Sequence, residues 1–325
     1  MGRTRKFLIS AVGLSLLVAG TGRAEEAYAG GVAGSGGIPV RGPAGGPPPT
    51  LVRMQSEYVA PSSLGNGDSE ASFYQVGVQA QMPFPLVGKL SGNIGLGIEN
   101  RGYEFKDFSQ FLPGVSSPMD QVIAARIGPG LTYQIDDKWR LLAGASWLYA
   151  GAVGSSASEA SMWGGLLGAL YQLSPSLTLV GGLAVTERLD SSVLVIPILG
   201  FNWRIDDRWA VVGGDVANAI DGPTIGAQVS YRLNSRWMLF GLGGYVGTYT
   251  RFADDSSLAN GSLRYRSAAA LAGAEYSLTS TWVLRLSAGA RLAQQYTFRG
   301  SDGNEVAEDD TGASPTVSLT VRAAF

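Results

Sequence analysis

The sequence predicts an all-β fold: a transmembrane up-and-down antiparallel β-barrel with short turns at one end and longer loops at the other. Three observations predict it. Charge is sparse, since only 15% of residues are Asp, Glu, Lys or Arg against roughly 25% in a water-soluble domain, while 46 of 325 residues are Gly. Beyond residue 20 no apolar run reaches the roughly 20 residues of a membrane helix. Short segments of alternating hydrophobicity follow one another instead, separated by Gly, Asn, Asp and Pro.

The first 24 residues read as a cleaved signal peptide. Arg3, Arg5 and Lys6 precede an apolar stretch from Phe7 to Gly20, and Gly22-Arg23-Ala24 supplies small residues for cleavage. Ala27-Tyr28-Ala29 is a second candidate cut. The competing reading is an uncleaved anchor, for which the stretch is short. Cleavage would remove four bases and no acid, leaving a chain more acidic than its full-length net charge of −2. That charge argues against nucleic acid as a partner. Residues 25–50, with Gly45-Gly46-Pro47-Pro48-Pro49, read as a flexible periplasmic segment, and residues 51–325 as the barrel.

Within the barrel a pattern recurs: an aromatic, a spacer, Ile or Leu, three turn-forming residues, then Trp or Leu. The copies are Tyr133 to Trp139, Tyr171 to Leu177, Trp203 to Trp209, Tyr231 to Trp237 and Tyr276 to Trp282. Pairing Ile135 with Trp139 across a hairpin leaves a loop of three residues, a common hairpin length. Residues of one parity share a face of a strand. Tyr133, Trp139, Trp203, Trp209, Tyr231, Trp237, Tyr276 and Trp282 are thus expected to form an aromatic girdle at one membrane interface. A β-propeller would repeat evenly, whereas these copies begin at 133, 171, 203, 231 and 276. About fourteen strands result, the first falling near 51–60; without that weakest one, twelve is the fallback.

The segment Ser314 to Phe325 alternates Val317, Leu319, Val321, Ala323 and Phe325 with Thr316, Ser318, Thr320, Arg322 and Ala324. It resembles the terminal strand read by the outer-membrane assembly machinery, with Phe325 as the assembly signal. That resemblance implies export to a Gram-negative outer membrane. The partners expected there are periplasmic chaperones, the assembly machinery, outer-membrane lipid and lipopolysaccharide.

The chain contains no His and no Cys. Serine–histidine and cysteine–histidine nucleophilic machinery is therefore absent, as are imidazole and thiolate metal sites. No catalytic residues, metal ligands or cofactor are expected. Asp136-Asp137 and Asp206-Asp207 are read as turn residues. Gly241-Leu242-Gly243-Gly244 is read as strand, since no helix follows to complete a nucleotide-binding turn. The acidic stretch Ser301 to Asp310 is read as a solvated loop in preference to a divalent-cation site.

Parity assigns Arg126, Arg140, Arg204, Arg232, Glu275, Arg285, Arg291 and Arg322 to the lumen, where arginine rings would favour anions. Eight-stranded barrels are filled by side chains and those of sixteen or more hold water, so about fourteen strands leave both an open and a packed lumen in play. The sequence therefore supports a passive pore for small polar or anionic solutes. A non-conducting structural or surface-contact barrel is the alternative, and a His-free enzyme comes last. The turn-plus-Trp repeats, together with Val195-Ile196-Pro197-Ile198-Leu199-Gly200-Phe201-Asn202-Trp203, resemble an uncharacterised outer-membrane β-barrel family (domain of unknown function 6268) over roughly residues 50–325. That resemblance implies a barrel and supplies no catalytic residues.

Overall fold

The computed structural model describes residues 49–65, 69–189, 193–214 and 224–325. The segment read as a signal peptide and nearly all of the Gly/Pro-rich segment lie outside the described residues. The described chain is almost entirely strand. In order, the strands are β1 (Leu51–Leu64), β2 (Ser69–Pro85), β3 (Leu90–Lys106), β4 (Gln121–Gln134) and β5 (Trp139–Ala152). Then come β6 (Ser161–Ser174), β7 (Leu177–Glu187), β8 (Val193–Arg204), β9 (Trp209–Gly214) and β10 (Thr224–Arg232). The last are β11 (Trp237–Arg251), β12 (Ser262–Ser277), β13 (Trp282–Arg299), β14 (Glu305–Thr311) and β15 (Ser314–Ala324). One short helix, α1 (Phe108–Phe111), interrupts the link from β3 to β4.

Sequential strands pair antiparallel, and β1 pairs with β15, so the sheet closes on itself. The ring holds fourteen strands. The fifteenth, β14, folds back on the outer part of β13 (Gln294 to Arg299), beyond the stretch of β13 that pairs with β15. The sequence reading had placed this acidic segment in a loop. Its acids are taken up locally: Glu308 accepts from Gln295 at 3.3 Å and from Thr297 at 2.9 Å. No group of carboxylates suited to a metal occurs among the described residues.

The alternation of the sequence becomes two faces. Leu167, Leu183, Val195, Leu199, Ile225, Leu239 and Leu286 point outward and are exposed. Such a continuous apolar exterior suits hydrocarbon. At the turn end the girdle residues pair directly across strands. Trp139 lies 4.5 Å from Tyr171, Trp209 4.7 Å from Tyr231, and Trp237 4.7 Å from Tyr276. Trp282 meets Phe325 edge-on at 5.9 Å. Tyr133 and Trp203 stand opposite Leu90 and Leu177.

The three-residue turns are closed by their own side chains. Ile135 donates its N–H to the Trp139 carbonyl at 3.0 Å, and the equivalent bond joins Ile205 to Trp209, Leu233 to Trp237 and Leu278 to Trp282. Within each turn the first residue accepts two backbone N–H bonds. Asp136 Oδ1 takes those of Lys138 and Trp139 at 2.7 Å, and Asp206 Oδ1 those of Arg208 and Trp209 at 2.7 Å. Asn234 and Thr279 fill the same role in their turns. This is the Asx and Ser/Thr turn chemistry that favours these residue types.

Two irregularities shape the wall. Inward glycines lie side by side where β9, β10 and β11 meet, as Gly214, Gly226 and Gly244. A Cβ on Gly244 would stand 3.0 Å from the Ile225 carbonyl oxygen and 3.3 Å from the Gly226 Cα, so the bare backbones allow a close approach there. In β13 the register shifts between Leu292 and Gln295, with Ala293 at φ 45°. This bulge reverses the parity. Arg285, Ser287 and Arg291 face inward before it, and Gln294, Tyr296 and Phe298 face inward after it.

The turn caps lead to a prediction. The two backbone bonds hold the Asp136 and Asp206 carboxyls below their ordinary range, chiefly the N–H of Trp139 and of Trp209. A depressed folded-state pKa gives stability that is present above the unfolded value of about 3.9 and is lost as pH falls through the folded one. Asp136→Ala combined with Asp206→Ala should lower the heating temperature at which the barrel unfolds in detergent gels, while Asp137→Ala with Asp207→Ala should not. The difference should shrink below about pH 4.

Candidate functional site

The lumen is the one interior shared by all fourteen strands, and its wall is not uniform. Polar and charged side chains from β1, β2, β3, β12, β13 and β15 converge on one part of the lumen. Arg291 Nη2 lies 2.6 Å from Glu57 Oε1, and Thr316 Oγ1 donates to the same oxygen at 3.1 Å. Gln75 Nε2 donates to the other Glu57 oxygen at 2.9 Å. Arg101 Nη2 stands 2.6 Å from Glu99 Oε1, and both side chains are buried. Nearer the turn end, Arg285 Nη1 donates to Glu275 at 2.9 Å and Nη2 to Gln228 at 2.9 Å, with its guanidinium 3.5 Å from the centre of the Phe240 ring. Arg322 approaches the second Glu275 oxygen at 3.8 Å.

These groups border a cavity of about 90 Å³, lined on its charged side by Arg53, Arg101, Arg285, Arg291, Glu57 and Glu99. With Glu275, which pairs with Arg285, four arginines stand against three glutamates, an excess of one positive charge. Its other side is apolar, with Leu242, Val246 and Leu271. Space of this size admits a few waters or one small ion.

Toward the loop end the lumen is filled. Phe108, Phe252, Tyr296 and Phe298 are fully buried in one cluster with Phe73, Tyr103 and Tyr265. Phe108, from α1, packs on Phe298 at 5.2 Å, and Phe252, from the link between β11 and β12, stacks on it at 6.3 Å. Beneath them the buried Gln294 accepts from Tyr265 at 2.8 Å and donates to Ser314 at 2.7 Å. Arg101 of β3 reaches Thr248 of β11 at 3.5 Å, six strands away around the ring, so side chains bridge the interior.

The opposite wall does not keep apolar residues to the outside. The inward residues of β6 to β9 include Met162, Leu166, Leu170, Val180, Leu194, Ile196, Ile198 and Val212. Strands β7 and β8 are thus apolar on both faces over Val180–Ala184 and Leu194–Ile198. A wall of this kind needs packing partners inside as well as outside, and Val212 finds them in Phe240 and Leu242.

The parity-assigned charged residues separate into three sets. Glu275, Arg285, Arg291 and Arg322 are brought together with Glu57 on the charged wall. Arg204 and Arg232 are exposed at the turn end, close to the mouth, and Arg126 and Arg140 are half-buried on β4 and β5. The loop-end aromatics were not singled out from the sequence. The one signal for them was the density of Phe and Tyr at 103–111 and 296–298.

Removing one partner of the Glu57–Arg291 pair strands the other where water is scarce. Glu57→Ala should destabilise the barrel by about 3–5 kcal/mol, whereas Glu57→Met with Arg291→Met should cost far less. Chemical denaturation in detergent micelles, followed by Trp fluorescence, would measure both.

The chain matches the family model described as "Domain of unknown function (DUF6268)" over residues 53–325. No curated protein matches it. Among solved structures it is similar to the toluene transporter TodX of Pseudomonas putida, at 15% identity and a TM-score of 0.49, over 86% of this chain and 90% of that one. A FadL homologue of Pseudomonas aeruginosa aligns at 11% identity and a TM-score of 0.48, over 85% and 90% of the two chains. An outer membrane channel from Pseudomonas putida F1 aligns at 12% and 0.47, over 88% of this chain and 100% of that one. With the family model spanning the whole fourteen-stranded ring, the chain belongs to the DUF6268 family of β-barrels.

Proposed function

We propose that this barrel is a passive, non-enzymatic outer-membrane channel for small polar or anionic solutes. Its apolar exterior and aromatic girdle support residence in a bilayer, and a closed sheet is the form in which strands cross one. The signal peptide and the Phe325 strand support export to a Gram-negative outer membrane. Chaperones and the assembly machinery would handle the chain on the way, and lipid and lipopolysaccharide would surround it there. The observation that carries the solute class is the central cavity with its four arginines and two glutamates. A positive lining lowers the cost for an anion to leave water and raises it for a cation.

One observation favours a second reading, a non-conducting barrel: the aromatic cluster fills the loop-end half of the lumen. Conductance separates the two. The mature protein, refolded and inserted into a planar bilayer under a potassium chloride gradient, should show openings whose reversal potential favours chloride. Arg53→Gln with Arg285→Gln should move that potential toward potassium. A folded, heat-modifiable barrel that never conducts would remove the channel reading in favour of the second.

A further inference from the structure

The loops at the outer mouth meet across the ring. Strands β5 and β11 are six strands apart one way round and eight the other, so they stand nearly opposite. Yet Arg251, at the end of β11, forms a parallel bridge with Gly151, near the end of β5. The segments that follow continue the contact. Arg251 Nη2 lies 2.7 Å from Glu159 Oε2, with the arginine side chain 14% exposed and the glutamate 44%. Ser156 N–H donates to Asp254 Oδ1 at 3.3 Å, and Asp254 N–H donates to the Gly154 carbonyl at 3.3 Å. Ala152 and Ala253, flanking these bonds, are buried in the same aromatic cluster that fills the loop end.

Polar ties between loops from opposite walls do a different job from the ion pairs within the lumen. Those pairs satisfy charges that the strands already place side by side. This tie joins strands from opposite walls that share only the single Arg251–Gly151 bridge, and Phe252 follows Arg251 directly into the aromatic cluster. The residue that stacks on Phe298 is thus the chain neighbour of the one that ties the two loops.

We propose that residues 151–160 and 251–261 form a latch across the outer mouth, and that the channel conducts when this latch opens. The proposal rests on the channel reading given above. It turns a permanently open pore into one that is closed in the structure and opened by separating two loops.

The chain has no cysteine, so a single engineered pair can both break and remake the tie. Glu159→Cys with Arg251→Cys removes the ion pair, and a short bifunctional thiol reagent then joins the two positions. In a planar bilayer with potassium chloride as the probe, the unlinked variant should show an open probability roughly two- to fivefold above the parent, the size expected for one partly exposed ion pair. Linking should bring it to or below the parent value, and a monofunctional thiol reagent should not. Both states are the same folded protein, checked by heat-modifiable migration. Conductance that is equal in the linked and unlinked states overturns the latch and leaves the channel standing. Silence in every state of a folded barrel overturns both.

Discussion

Every backbone N–H and C=O in a sheet that faces hydrocarbon has to find its partner within the sheet, because the bilayer offers none. Pairing of β1 with β15 meets that demand for two strands far apart in the chain. The ladder runs from Leu51 opposite Ala324 to Val59 opposite Thr316. Past its end Thr50 and Phe325 exchange both backbone bonds at 2.9 Å. Without this seam β1 and β15 would present open edges to lipid, and the inward side chains of neighbouring strands would lose their fixed level. Glu57 meets Arg291, and Thr316 meets Glu57, only because the seam sets their heights.

The ring itself was legible in the sequence. Strict parity in segments such as Ile225 to Leu233 and Trp282 to Leu292 fixes two faces, and the turn residues Asp136, Asp206, Asn234 and Thr279 mark where each hairpin reverses. Three features were hidden for physical reasons. Parity says which residues share a face but not which face is inside when both are apolar, so the inner wall of β7 and β8 gave no sign of itself. The acidic strand β14 lies outside the ring and has no membrane to alternate against. The loop-end cluster depends on contacts between α1, the segment after β11 and the end of β13, and α1 is separated from the other two by well over a hundred residues.

The interior combines two kinds of packing that respond differently to water. The charged wall needs water or counter-charges; it has counter-charges, in ion pairs at 2.6 and 2.9 Å, and a small cavity beside them. The aromatic cluster excludes water and gains from doing so. Setting the second above the first puts the polar groups on the side of the turn end, where Arg204 and Arg232 are exposed, and the aromatic cover at the loop end. The barrel is thereby asymmetric along its axis, and a solute would meet charge first from one side and aromatic rings first from the other.

The bulge at Ala293 bears on how such a wall can change over time. Upstream of it, odd positions of β13 face the lumen; downstream, even positions do. One residue of length is thus the switch between interior and exterior for Gln294, Tyr296 and Phe298. Lineages that gain or lose a residue at that point would exchange an entire stretch of lining for its neighbours Gln295, Thr297 and Arg299 in one step. Substitutions alone would need several coordinated changes to reach the same place. Length variation inside this strand is therefore a coarser and faster route to a new lumen than point mutation, and the rest of the ring would not have to move to accommodate it.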